Sequence, residues 1–156
     1  TAGVLLLVLA GLAGYGARSA LREWTPVYGP VDAGSIKVLH MGEAETSLLV
    51  SLSGQDETVL TVPSRKITVR LEILVFADPY VLLGRKVSYK FAALKSGDAE
   101  HPFNAAFSGT GFAERVLYGL PGVEIKQVEA EMPPAELFST YILRIDGNGG
   151  AAIAEK

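Results

Sequence analysis

Apolar and polar positions divide the chain into two regimes. Every one of residues 2–17 is apolar, Gly or Tyr, and the stretch 4–10 is aliphatic throughout. A helical pattern continues through Arg18, Ser19, Ala20, Leu21, Arg22 and Glu23 and meets no breaker before Pro26. The spacing therefore predicts one helix over residues 1–24. Beyond it the period changes. Ile67, Val69, Leu71, Ile73 and Val75 alternate with Lys66, Thr68, Arg70, Glu72, Leu74 and Phe76. That is the period-two signature of a half-buried strand, and its apolar far end predicts cover on both faces.

The same reading predicts strands at 36–41, 47–52, 58–62, 86–94, 123–130 and 138–145, with a brief closing strand at 151–154 after an Asp-Gly-Asn-Gly-Gly turn. Residues 25–34, with Pro26, Gly29, Pro30 and Gly34, read as an extended connector. Residues 97–111 read as a loop, and 111–118 as a short helix stopped by Gly119 and Pro121. Short strands with turns every eight to twelve residues or so predict a small all-β (or β-rich α+β) sandwich or barrel over residues 35–156. One N-terminal transmembrane helix precedes it.

The span is short on its own. Sixteen uncharged residues rise roughly 24 Å, against a hydrocarbon core of roughly 30 Å. Residues preceding Thr1 are expected to complete it, and Arg18 can snorkel from its end. Arg18, Arg22 and Trp24 are the residue types that settle at a lipid-water boundary and are expected there. A cleavable signal peptide ending near Tyr15, Gly16 and Ala17 is the second reading, and a buried core helix the third. Arg18 and Arg22 alone would place the domain in the cytoplasm. Long domains cross regardless of a few charges, and the expectation is the periplasmic side.

Charge changes the picture more than composition does. The chain of 156 residues carries a net charge of -3, with no cysteine. It therefore has no disulfide, thiolate metal site or thiol chemistry. Residues 65–95 hold seven bases against two acids, and residues 96–156 four bases against nine acids. Arg65, Lys66, Arg70, Arg85, Lys86 and Lys90 form a basic surface that would suit anionic lipid headgroups. The alternative is that the basic and acidic stretches neutralise each other within the folded domain.

No pattern of reactive residues identifies a chemical step. His40 falls in an expected strand and His101 in an expected loop, sixty-one positions apart, and neither has a local metal-ligand partner. Gly109, Gly111 and Glu114 begin like a dinucleotide fingerprint, but Glu stands where the third Gly belongs and no βαβ unit surrounds them. Glu124, Glu129 and Glu131 read as a solvated strand edge. The acidic balance and the missing basic-aromatic surface argue against nucleic acid as a partner. No cofactor and no metal are expected, and the chain is read as a non-enzyme.

The anchor, residues 50–60 around a polar turn, Arg70-Leu71-Glu72-Ile73-Leu74, Leu82-Leu83-Gly84, Tyr89-Lys90 and Leu94-Lys95-Ser96-Gly97 resemble a family of small proteobacterial membrane proteins labelled cation/multidrug efflux pump. The resemblance covers about a third of the chain. A tryptophan-rich stretch of the family is replaced here by Phe76 and Tyr80. It implies a single-pass protein of the bacterial inner membrane. A lone span has no second helix with which to line a pathway, so the transporter label carries no mechanism.

Gly3, Ala10, Gly11 and Gly14 place small residues where a second helix could approach closely. The expected role is a non-catalytic accessory subunit of a larger membrane protein complex, with integral membrane subunits and lipid headgroups as partners. The alternative is a tethered β domain that binds a small apolar ligand or peptide in a pocket lined by Val81, Leu82, Phe91 and Phe107.

Overall fold

A computed structural model describes residues 2–77, 86–103, 115 and 117–156. Helix α1 (Ala2–Ala20) runs into a single 3-10 turn (Leu21–Glu23), after which the chain is β. Strands β1 (Thr25–Val27), β2 (Val31–Met41), β3 (Thr46–Leu52), β4 (Thr58–Val62), β5 (Ile67–Phe76), β6 (Val87–Ser96), β7 (Ala99–Pro102), β8 (Val123–Glu131), β9 (Thr140–Ile145) and β10 (Ala151–Glu155) form two antiparallel sheets. One has the order β1-β6-β5-β8, with β7 on the same edge of β6 as β1; the other has the order β10-β9-β2-β3-β4. The β-rich domain behind an N-terminal helix is thus the observed architecture.

The core lies between the sheets. Ile67, Val69, Leu71 and Ile73 of β5 meet Ile36, Val38, Leu48, Val50, Tyr141, Leu143 and Ile145 from the opposite sheet. The alternation in β5 has the expected phase, but β6 departs from it. A register shift between Arg70 and Leu71 sets Arg70 opposite Ala93 and Leu71 opposite Phe91. The extra residue turns the strand over, so Leu94 enters the core where plain alternation would send Ala93.

Residues 25–34, expected as a connector, are extended but built into both sheets. Thr25–Val27 pairs with β6, and β2 begins at Val31, five residues before the strand expected there. Pro26 is tolerated because β1 is a short edge strand. Gly34 sits at a second bulge, between Asp32 and Gly34. A Cβ there would lie 2.7 Å from Leu52 Cδ2 and 2.8 Å from the Ser51 carbonyl. The close approach of β3 requires glycine. The expected loop at 97–111 contains a strand as well, since Ala99–Pro102 pairs along β6. Of the helix expected at 111–118, Arg115, Leu117 and Tyr118 are helical, and the remainder lies outside the described residues.

The hairpin between β9 and β10 is fixed by one carboxylate. Asp146 Oδ1 accepts the backbone N–H of Asn148 at 2.7 Å and of Gly150 at 2.8 Å. The backbone N–H of Gly150, then that of Asn148, holds the Asp146 carboxyl below the usual aspartate value. A lowered value in the folded state means that this stabilisation is fully present above about pH 3.9, the unfolded aspartate value, and is lost as the pH falls through the folded one. Asp146→Asn is therefore expected to flatten the acid limb of stability. The check is the denaturation midpoint of both proteins measured from about pH 5 down to about pH 2.

Candidate functional site

Three places stand out: the junction between helix and domain, the outer face of the β5/β6 sheet, and a cavity between the two sheets. The junction begins with the outer side of β5, where Leu74 and Phe76 replace the charges of the strand's first half. Ala20, Trp24, Leu74, Phe76 and Leu117 are buried together there, with Leu21, Leu120, Val123 and Ile125 packed around them. Trp24 is 2% exposed. Its indole faces the Lys90 ammonium, which lies 5.0 Å from the ring centre and 3.1 Å from Glu72 Oε2. Trp24, named for a lipid-water boundary by its residue type, is thus packed in a protein core at the foot of the domain. Burial by Leu74 and Phe76, fifty residues away in sequence, decides its place.

Arg18 and Arg22, named with it, are exposed. Gly3, Ala10, Gly11 and Gly14 lie on an open helix surface, and a Cβ on any of the three glycines would meet nothing within 4 Å. Among the described residues one helix, over Gly3–Glu23, is long and apolar enough to cross a membrane. The 19 residues of α1 rise about 28 Å.

The outer face of the β5/β6 sheet carries the basic stretch, and the acidic stretch answers it. Lys95 Nζ donates to Glu129 Oε1 at 2.5 Å, Lys66 Nζ lies 3.7 Å from Glu131 Oε1, and Arg70 pairs with Glu100. The Lys95 ammonium, as hydrogen-bond donor and as charge, holds the Glu129 carboxyl below its ordinary value. Three cross-strand pairs and the Lys90–Glu72 pair thus turn the basic surface into a neutralised lattice. Arg65 and Lys86 are exposed, and Arg85 lies outside the described residues. Exposed pairs of this kind stabilise weakly; their main effect is on the net charge of the face.

The cavity opens where β4 and β7 leave the sheets unclosed. Val50, Leu52, Leu60, Pro102 and Phe103 line about 210 Å³ together with His101. His101, expected in a solvated loop, lies on β7 and is half-buried, and its Nε2 is buried without a hydrogen-bond partner. The pocket anticipated from sequence differs: Phe91 borders another recess, while Val81, Leu82 and Phe107 lie outside the described residues. The carboxylates whose values are lowered, Asp32, Glu129 and Asp146, owe this to Arg144, to Lys95 and to backbone N–H groups respectively. They belong to surface pairs and a turn. Among the described residues no three His, Asp or Glu side chains gather as a metal site requires.

In comparisons with known proteins, no family model, no curated protein and no solved structure matches the chain.

Proposed function

We propose that the chain is a membrane-anchored, non-catalytic accessory subunit of a larger membrane protein complex, with its β domain on the periplasmic side of a bacterial inner membrane. The observation that carries this reading is the junction. A tether needs only a flexible link, but here Ala20, the last residue of α1, is buried with Trp24 against Leu74, Phe76 and Leu117. Helix and domain can therefore present a single surface to integral membrane subunits. The open face bearing Gly3, Ala10, Gly11 and Gly14 supports close packing by a second helix.

The test is gentle detergent extraction followed by mass spectrometry of whatever co-migrates. A stoichiometric integral membrane partner is expected, and Gly11→Leu with Gly14→Leu should release it while the β domain stays folded. Unchanged co-purification of the double variant would remove the helix as the point of attachment.

A second reading is favoured by the cavity between the sheets. A tethered module could bury a small apolar group against Leu60 and Phe103, with His101 Nε2 supplying a polar contact. In the same experiment this reading expects a monomer carrying a small molecule.

A further inference from the structure

Strand β6 has two short neighbours on one edge, and they do not meet. β1 covers Val87 to Tyr89, and β7 covers Ala93 to Ser96. Lys90 and Phe91 lie in the gap between them, while the Phe103 N–H beyond β7 donates to the Ala92 carbonyl at 3.1 Å. The chain that would have continued β1 across this gap leaves the sheet instead, as the 3-10 turn Leu21–Glu23 that ends helix α1. The result is a notch of about 300 Å³ whose lining includes Arg22, Glu23, Thr25, Ser53, Tyr89 and Lys90.

Its chemistry is of two signs. Arg22 and Glu23 are adjacent and exposed, and no ion pair involving either forms among the described residues. Lys90 adds a cation whose charge Glu72 already shares. Tyr89, Ser53 and Thr25 line the notch together, so its wall carries hydroxyl-bearing side chains beside the charged ones. A simple anion would meet Glu23 as well as Arg22, and a simple cation the reverse. A group carrying both charges a few bonds apart satisfies both residues. Chain connectivity also sets the depth: Arg22 follows the last residue of α1 by two positions, which is headgroup depth for a spanning helix.

We propose that the notch between β1 and β7 seats the headgroup of a zwitterionic phospholipid, with Arg22 on the phosphate and Glu23 on the ammonium. The inference rests on the membrane-anchored reading above. The volume lies at the small end of ligand pockets, roughly 300–1,000 Å³. It takes a headgroup, while the acyl chains remain beside α1.

The full chain is extracted in mild detergent, and its bound lipid is read by native mass spectrometry. It is then reconstituted in nanodiscs of phosphatidylethanolamine, phosphatidylcholine or phosphatidylglycerol, and lipid retained on re-extraction is measured. About one zwitterionic lipid per chain is expected. Arg22→Glu should lower its occupancy at least about tenfold, the size of one charge-assisted hydrogen bond, and Glu23→Lys should lower it while raising retention of phosphatidylglycerol. Both side chains are exposed, so an unchanged denaturation midpoint should accompany these losses.

Retention of the anionic lipid over the zwitterionic ones by the unaltered protein would overturn the proposal. So would equal retention by Arg22→Glu. Soluble phosphoethanolamine held as tightly as the lipid would overturn the membrane source. A chain recovered wholly in the soluble fraction would remove the anchored reading itself; a membrane-bound chain indifferent to lipid would remove this inference alone.

Discussion

Trp24→Ala is expected to lower stability by about 3–5 kcal/mol, the cost of deleting a large buried aromatic side chain. The ring is 2% exposed and has apolar neighbours from α1, β5 and the helical turn at Leu117. Removing it leaves a void that three separate elements would have to close together. Trp24→Phe is expected to cost far less, because the indole N–H it removes has no hydrogen-bond partner and a ring remains for Lys90 to face. Trp24 is also the single tryptophan of the chain, so its fluorescence reports the junction alone. In guanidinium titrations of the detergent-solubilised protein, fluorescence and far-ultraviolet circular dichroism should give coincident transitions. Two separated transitions, or a midpoint indifferent to Trp24→Ala, would show that helix and domain are uncoupled.

Leu71→Ala is expected to cost about 2–5 kcal/mol. Leu71 is fully buried on a strand paired on both sides, facing Phe91 of β6 and Val128 of β8. It also stands at the register shift that turns β6 over. The collapse that relieves a void elsewhere is restricted here, because the backbone on either side is fixed by two ladders. Thermal denaturation of the variant checks this, and a loss under about 1 kcal/mol would mean that the site repacks freely.

Periodicity made the central elements readable. The alternation over 66–76, the apolar run of α1 and the hairpin at 146–150 each carry a local cause, and the structure places the strand and the hairpin within a residue or two of the expected bounds, while the helix expected over 1–24 ends at Ala20 and gives way to a 3-10 turn. What escaped was decided at a distance. Pro26 and Gly29 looked like a linker, yet Thr25–Val27 is a strand because the edge of β6 lies beside it. Pro102 fell inside the loop expected at 97–111, but it closes a strand against Ala93.

The opposed charge of the middle and C-terminal stretches was visible in sequence, whereas the partners were not. Glu100 reaches Arg70, and Glu129 reaches Lys95, through sheet register. Trp24 shows the same limit at the candidate site. Its residue type suggested the lipid boundary, and only the juxtaposition with Leu74 and Phe76 reveals a core position. The notch at Arg22 and Glu23 has no signature in the chain, since it is made by what β1 and β7 leave uncovered.

The packing of Ala20 and Trp24 against the sheet has a mechanical consequence. A helix held only by lipid spins about its own axis, and a domain on a slack leash tumbles independently above it. In the anchored reading, the packing of Ala20 and Trp24 against the sheet would couple the two, so that the azimuth of the helix would set which flank of the β domain faces along the plane of the bilayer. In the anchored reading, a partner diffusing in that plane then has one angle to search where a loosely leashed domain would require three.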